Sequence, residues 1–368
     1  MFKRKRFLVS AVAVLAVLCS ALLTAPGSAD SGANHRVRNL NFGVSGGNVR
    51  DISRRFCCSG TLGALLTAAN GNQYILSNNH VLGLAGQATA GDDVSQPGLI
   101  DNNCQVATVV ADFTTAVPLN QNVDAAIAQL RAGTMDSTGE IEDIGIPSSL
   151  TATPAVGMAV IKSGRTTGFT QGTISSVNTS VSVRYPKSCG ANGGTLFTFT
   201  NQVIIGSSTF SAGGDSGSVI LTNNGHNPVA LLFAGSSSAT IGNPINEVLS
   251  KLSARLGSPL TFVGTGGSSA ASTFSADTAL QPYTRGRSQV ELPEQAVLHA
   301  GQVLERHRDN LMNTPLVLGV GVGRSDESDT DAAIVVYVNK TAGARPFLPQ
   351  SLDGVKVRVE LTDEFIAF

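Results

Sequence analysis

Three short segments of the sequence contain side chains that together could carry out nucleophilic catalysis. The first is FSAGGDSGSVI, residues 210–220, in which Ser216 lies in a glycine-rich turn before an apolar strand. A serine hydroxyl becomes a nucleophile when a histidine removes its proton and nearby backbone N–H groups stabilise the oxyanion that forms. The same composition is also typical of an ordinary tight turn. The catalytic interpretation therefore requires a histidine and a carboxylate in suitable segments elsewhere.

His80 and Asp124 are the candidates for these two groups. Among five histidines, His80 alone follows an apolar strand that ends in a polar pair, in NQYILSNNHVL. Asp124 begins a strand of small residues in NVDAAIAQL, where a buried carboxylate needs a donor such as the Nδ1–H of a histidine. Either residue alone has a simple structural explanation, as a hydrogen-bonded histidine or a turn aspartate. Together the segments predict a triad of His80, Asp124 and Ser216, with the N–H groups of Gly214 and Ser216 as the oxyanion hole.

The elements that must position these residues are short β-strands. Between residues 56 and 262, runs of Val, Ile, Thr and Phe alternate with Gly, Asn and Ser, a pattern typical of all-β sandwiches and barrels. We expect two β-barrels, the first carrying His80 and Asp124 and the second carrying Ser216. After a glycine- and serine-rich linker, a helical repeat behind Pro293 and three further strands predict a small α+β module of unknown role.

The amino terminus reads as a secretory signal, because basic residues precede an apolar run and a small-residue cleavage site. A membrane anchor is the alternative, although the apolar run is short for a membrane span. The predicted boundaries are 1–29 for the signal, 30–55 for an amino-terminal extension, 56–150 and 151–262 for the barrels, 263–287 for the linker and 288–368 for the module.

The charge argues against a nucleic-acid-binding protein, and the cysteines indicate an exported protein with disulfides. The signal would remove four of the 25 Lys and Arg residues and none of the 26 Asp and Glu residues, and the resulting acidic chain is a poor nucleic-acid ligand. The four cysteines outside the signal, at 57, 58, 104 and 189, predict two disulfides in an exported protein, with three connectivities open. Their spacing does not fit a metal site, and we expect neither metal nor cofactor.

Four motifs resemble those of the trypsin/chymotrypsin superfamily of serine peptidases. They are SNNHVL, VDAAIA, GGDSGS and KSGRTTGFTQGTI, and the similarity covers about residues 56–262. It is strongest to the secreted bacterial α-lytic protease and streptogrisin type, and it extends to related trypsin-like proteins of bacteria and plants. The resemblance implies a chymotrypsin-like double β-barrel and a secreted serine endopeptidase that acts on proteins or peptides through an acyl-enzyme.

The resemblance also implies a substrate pocket and an ion pair that shapes the oxyanion loop. The pocket walls would be Phe210, Ser211, Ala212, Phe233, Ala234 and Gly235. The matched positions contain no acidic residue, so a small or medium apolar side chain is expected before the cleaved bond. Arg165 would pair with Asp215 and shape the oxyanion loop.

The sequence also departs from the family's pattern. Phe233 replaces a serine that usually supports the buried aspartate, so Asp124 needs another donor. Either Cys57 or Cys58 lies upstream of His80, and Cys104 is a candidate partner for it. Two other functions stay open at this point: a catalytically silent binding protein with this fold, and an esterase that uses the same triad. Oligomeric state is also open.

Overall fold

The structure is a computed structural model that describes residues 40–191, 193–266, 290–343 and 345–368. The predicted signal and most of the predicted linker lie outside these residues. The described part of the chain is mostly β-structure. Its strands are β1 (Val44–Asn48), β2 (Gly60–Leu62), β3 (Ala64–Ala68), β4 (Gln73–Ser77), β5 (Asp93–Gln96), β6 (Thr108–Ala116), β7 (Ala126–Leu130), β8 (Ala159–Lys162), β9 (Thr170–Pro186), β10 (Gly194–Ile205), β11 (Val219–Thr222), β12 (Pro228–Gly235), β13 (Thr240–Pro244), β14 (Leu260–Phe262), β15 (Val317–Arg324), β16 (Ala332–Asn339), β17 (Ser351–Leu352), β18 (Val355–Thr362) and β19 (Phe365–Ala367).

The first barrel is a curled sheet with the order β14-β3-β4-β7-β6-β5-β1-β2. It curls closed because β2 leads directly into β3 through Gly63, whose N–H donates to the Leu76 carbonyl at 2.9 Å. The interior is filled by apolar side chains that are fully buried, among them Leu65, Ile75 and Ile127. This barrel positions His80 and Asp124 at the ends of β4 and β7.

The first strand lies in the segment that the sequence analysis assigned to an extension before the barrel. β1 pairs antiparallel with β2 and with β5, so the barrel begins before residue 56. Its sequence VSGGN carries no apolar alternation. Gly46 is required by packing, because a Cβ there would collide with the Leu62 side chain.

The second barrel closes through six strands in the order β10-β13-β12-β11-β8-β9, with β9 pairing back to β10. The hairpin of β9 and β10 is the longest in the described chain and extends beyond the barrel. Ser216 lies just before β11, and β12 runs beside it. The predicted double β-barrel is therefore confirmed, with the two halves of the candidate site on different barrels.

A helix that the sequence analysis did not predict, Ile245–Leu256, follows β13. Its apolar residues Ile245, Val248 and Leu252 join the core of the first barrel. The chain then returns to that barrel as β14, which pairs with β3. A helix begins here because Pro244 ends the strand and apolar residues recur at intervals of three and four.

The predicted carboxyl-terminal α+β module is also confirmed. Its helix, Glu294–Met312, begins directly after Pro293 as expected. β15 pairs with β16, and β16 runs parallel to β18. The module also joins the second barrel, because β15 pairs antiparallel with β9, while β19 lies between β12 and β9. Barrel and module therefore share one continuous sheet.

Two disulfides are present, as the even cysteine count predicts. Cys57 pairs with Cys104, and Cys58 pairs with Cys189. The second bond connects the segment before β2 to the tip of the β9–β10 hairpin, so it ties the two barrels together. Within the described ranges, no helix is long and apolar enough to cross a bilayer.

The packing of the module on the second barrel can be tested where β15 lies close to β9. A Cβ on Gly321 would meet the Cβ and Cγ2 atoms of Thr179 at 2.9 Å. We expect Gly321→Val to lower the free energy of unfolding by about 1 to 3 kcal/mol through overpacking, measured by urea denaturation. Gly266→Val is the matched control, since a Cβ there meets no described atom within 4 Å. Equal stability of both variants would contradict the docking.

Candidate active site

His80 lies in a single helical turn, Asn79–Leu82, directly after β4. Its Nδ1 atom is 2.5 Å from Oδ2 of Asp124, and its backbone N–H donates to Oδ1 of the same carboxylate at 3.1 Å. Two contacts to one carboxylate fix both the position and the orientation of the imidazole. The ring's other nitrogen, Nε2, lies 2.9 Å from the backbone oxygen of Phe368.

Asp124 is fully buried and is held by both barrels. Its backbone N–H donates to the side-chain oxygen of Asn243 at 2.9 Å. The Tyr185 hydroxyl donates to Oδ2 of Asp124 at 2.7 Å. Tyr185 is thus the donor that the sequence analysis required but did not identify, because it comes from β9, far along the chain, and no local motif marks it. Phe233, in contrast, packs its ring against Phe199.

Ser216 lies in the predicted glycine-rich turn, and its side chain is buried. Gly214 and Gly217 on either side have φ values of +98° and +97°, which explains the glycines because other residues avoid this region. The Ser216 hydroxyl donates to the Phe233 carbonyl at 3.2 Å. Within the described ranges, neither His80 nor any other side chain accepts a hydrogen bond from this hydroxyl.

The backbone N–H groups of Gly214 and Ser216 have no hydrogen-bond acceptor among the residues that the structure describes. The N–H groups of Asp215, Gly217 and Ser218, by comparison, all donate to backbone carbonyls. Two adjacent unpaired donors on one turn can stabilise a negatively charged oxygen. Gly214 and His80 line the same cavity, whose volume is about 400 Å³.

The predicted pair between Arg165 and Asp215 is wrong. The Arg165 guanidinium instead binds Asp101 through two hydrogen bonds of 2.6 Å each. The same SGRTTG hairpin still holds Asp215, but through the backbone N–H groups of Thr166 and Thr167, at 2.8 and 3.1 Å, and the Thr167 hydroxyl, at 2.7 Å. Asp101 lies closer to the guanidinium, and a planar carboxylate satisfies it with two parallel bonds.

Lys162, which the sequence analysis did not single out, is the cation near Asp215. Its Nζ atom is 3.7 Å from Oδ2 of Asp215, and both side chains are fully buried. Lys162 also donates to the Thr167 hydroxyl at 2.5 Å and to the Gly168 carbonyl at 2.9 Å. Burial lowers the pKa of Lys162 to about 8, and the Asp215 charge opposes this shift. An apolar strand that ends in a lysine, AVIK, is the only sequence signal for this role.

The electrostatic environment of His80 favours its charged form. Burial alone lowers the pKa of His80, but the Asp124 charge and hydrogen bond, together with the backbone oxygen of Phe368, raise it above its ordinary value. Asp51 lines the same cavity. Burial raises the pKa of Asp51 to about 6, and the nearby His80 opposes this shift.

The predicted pocket residues occupy three different environments. Phe210 is fully buried in the hydrophobic cluster of the second barrel. The Ser211 hydroxyl bonds with that of Thr240 at 2.5 Å, and the N–H of Ala212 donates to Asp215 at 2.9 Å. Ala234 and Gly235 form the edge of β12 that pairs with β19. None of the six predicted pocket residues lines the cavity beside His80.

Among the residues that the structure describes, Asp51, Cys58 and Cys189 form a group of possible metal ligands near the cavity, with ligand atoms within 4.8 Å of one another. The two sulfurs are bonded to each other in a disulfide. They therefore cannot serve as thiolate ligands, and this group does not fit a metal.

Comparisons with known proteins were made for both sequence and structure. The family profile of the Nal1 C-terminal domain matches residues 100–242, which is less than half of the chain. No curated protein matches significantly in sequence.

Solved structures similar to this chain include several serine proteases. A glutamic acid-specific serine protease has a TM-score of 0.42 and 22% identity, over 60% of this chain and 98% of its own. The chymotrypsin of Cellulomonas bogoriensis has a TM-score of 0.40 and 20% identity, over 62% of this chain and 100% of its own. Protease A of Thermobifida fusca has a TM-score of 0.38 and 20% identity, over 55% and 91%. Matches at these scores do not by themselves assign an activity.

The hydrogen bond from Tyr185 to Asp124 gives a direct test of the buried carboxylate. Tyr185→Phe removes a donor from a charged, buried acceptor, so we expect the free energy of unfolding to fall by about 1.5 to 3 kcal/mol. Urea denaturation at neutral pH measures this loss. Tyr74→Phe is the control, because the Tyr74 hydroxyl, also on a buried ring, bonds to no described residue. Equal effects of the two substitutions would contradict the assigned bond.

The correction at Asp215 gives a second test. Lys162→Met leaves Asp215 buried without its cation, so we expect a loss of about 3 to 5 kcal/mol in the free energy of unfolding. Lys356→Met removes an exposed lysine that pairs with Glu327 at 3.3 Å, and it should change stability by no more than about 0.5 kcal/mol. Thermal and urea denaturation measure both. A Lys162→Met protein as stable as Lys356→Met would remove Lys162 from this role.

Proposed function

We propose that this protein is a secreted serine endopeptidase in which Ser216 is the nucleophile, His80 the general base and acid, and Asp124 the residue that orients the imidazole. The observation that carries the proposal is the 2.5 Å contact between His80 and Asp124, at a cavity that the Gly213-Gly214 turn before Ser216 also lines. A buried carboxylate on Nδ1 fixes the imidazole tautomer whose Nε2 can accept a proton.

The reaction begins with a rotation of the Ser216 side chain from the Phe233 carbonyl, its present acceptor, towards Nε2 of His80. His80 then takes the hydroxyl proton as Ser216 Oγ attacks the carbonyl carbon of the peptide. The tetrahedral intermediate places its oxyanion at the N–H groups of Gly214 and Ser216, and each such donor typically contributes about 3 kcal/mol. His80 next gives the proton to the leaving amine, and a water molecule hydrolyses the acyl-enzyme by the same steps.

The residues around the proposed triad hold Asp124 and the Ser216 turn in position. Tyr185 and the backbone N–H of His80 hold the Asp124 carboxylate, which stabilises the imidazolium that forms during attack. The bonds to Asp215 from Thr166, Thr167 and Ala212 keep the Ser216 turn in shape. These contacts support an oxyanion site that is formed before substrate binds, which is the arrangement that lowers the barrier most.

The proposed substrates are extended peptides or proteins. The edge of β12 at Ala234 and Gly235 can pair with a peptide strand beside Ser216, as it pairs with β19. We further propose that the residue before the cleaved bond is apolar, because the pocket residues that the sequence predicted are apolar or neutral. Secretion is part of the proposal on account of the predicted signal and the two disulfides.

Labelling with a fluorophosphonate probe tests the nucleophile. We expect the wild-type protein to form one covalent adduct, located on Ser216 by mass spectrometry, and Ser216→Ala to form none. Ser208→Ala, an exposed serine on the loop before the turn, should label like the wild type. A folded wild-type protein that never labels would instead favour a catalytically silent binding protein. Labelling and turnover of activated esters without cleavage of any denatured protein would indicate an esterase.

A further inference from the structure

The last strand of the chain lies in the candidate substrate cleft. We call residues 365–368 the tail segment. Its strand β19 pairs antiparallel with β12, with Ala367 opposite Ala234 and Ile366 opposite Gly235. On its other side, β19 pairs parallel with β9. The tail segment therefore occupies the edge of β12 at which the proposed function requires a substrate strand.

The backbone of Phe368 reaches the candidate catalytic histidine. Its oxygen is 2.9 Å from Nε2 of His80, the nitrogen that would exchange a proton with substrate and nucleophile. A peptide held in this way has a backbone carbonyl group at the reacting position, with Ala367 and Ile366 extending along β12. The tail segment thus lies where the acyl half of a substrate would lie. This is the half that stays in the cleft after the amine half has left.

The Phe368 side chain fills the position beside β12 where a substrate's first side chain would lie. A Cβ on Gly235 would be 2.5 Å from Cζ of the ring, so the ring occupies the space that a side chain at position 235 would need. The ring also packs on the hydrophobic cluster that contains Phe210. An aromatic side chain therefore fits against Gly235, one of the predicted pocket residues.

The carboxyl-terminal module delivers the tail segment to this place. Arg184 Nε donates to Glu364 at 2.9 Å, and Lys340 pairs with Asp363 at 3.0 Å. Phe365 is fully buried, with its ring 5.9 Å from that of Tyr337. These contacts come from the second barrel and from the module itself. When the module is docked on the barrel, the tail segment therefore also occupies the cleft.

We propose that the tail segment is an intramolecular ligand of the substrate cleft and inhibits the site by occupying it. Inhibition by the tail segment rests on the proposed function, whereas binding of the tail segment in the cleft does not require catalysis. It assigns a ligand class to the cleft: an extended peptide with an aromatic residue beside His80, preceded by a small residue and a β-branched one. It also extends the expected preference for small or medium apolar residues to aromatic ones.

The first part of the test weakens the binding of the tail segment to the cleft, using the full chain. Phe368→Gly removes the ring, and Glu364→Arg places like charges together at Arg184. Because ligand access is reduced by the occupied fraction of the cleft, both variants should react with a fluorophosphonate probe about tenfold faster or more. Phe347→Gly is the matched control, since Phe347 belongs to the same module and its side chain is 97% exposed; it should react at the wild-type rate.

The second part measures binding without catalysis. Fluorescein-labelled Phe-Ile-Ala-Phe with a free carboxylate should bind to Phe368→Gly/Ser216→Ala, measured by anisotropy, and bind at least about tenfold more weakly to Ser216→Ala alone, whose cleft is occupied. Phe-Ile-Ala-Gly should bind weakly to both proteins.

The outcomes separate the two proposals. Peptide binding without probe reaction in any variant would support the occupied cleft and contradict the endopeptidase. Equal probe rates in wild type, Phe368→Gly and Glu364→Arg, with no peptide binding, would overturn the tail segment's role and leave the endopeptidase standing. If Phe368→Gly fails to fold, Glu364→Arg carries the same comparison, because Glu364 lies outside the cleft.

Discussion

The buried carboxylate of Asp124 is the constraint on which the rest of the site depends. A charge without access to water is stable only when hydrogen-bond donors surround it, and here the donors come from both barrels: His80 from the first and Tyr185 from the second. Asn243 fixes the backbone at the same point. Satisfying one carboxylate therefore aligns the two barrels, and the same alignment sets the imidazole opposite the Ser216 turn.

A second buried carboxylate, Asp215, plays the corresponding part for the Ser216 turn. The SGRTTG hairpin and Lys162 surround it, so the backbone that carries Gly214 and Ser216 is held from behind. The continuous sheet of the second barrel and the carboxyl-terminal module then brings β19 beside this turn. The Ser216 turn and the proposed internal ligand thus belong to the same continuous sheet.

Sequence patterns predicted most strands and the helix after Pro293, because local period and composition carry that information. They also marked His80, Asp124 and Ser216 as candidates, and the structure brings the first two into contact. They did not predict β1, whose glycines lack an apolar pattern, or Tyr185, whose role depends on a contact between distant strands. The predicted pair between Arg165 and Asp215 failed for a related reason, since a buried ion pair depends on which carboxylate lies nearest, and Asp101 has no local link to the hairpin. Nothing in the sequence of the module indicated that residues 365–368 would lie in the cleft.

The most direct test of the central claim, that Asp124 holds His80 as the proton acceptor for Ser216, is the NMR titration of His80. The Asp124 charge and hydrogen bond raise the pKa of His80, so its ring signals should titrate above the ordinary value of about 6.5. In Asp124→Asn the pKa should fall by about one unit or more, since the opposite charge is lost. A His80 that titrates at the same pH in both proteins would contradict the account.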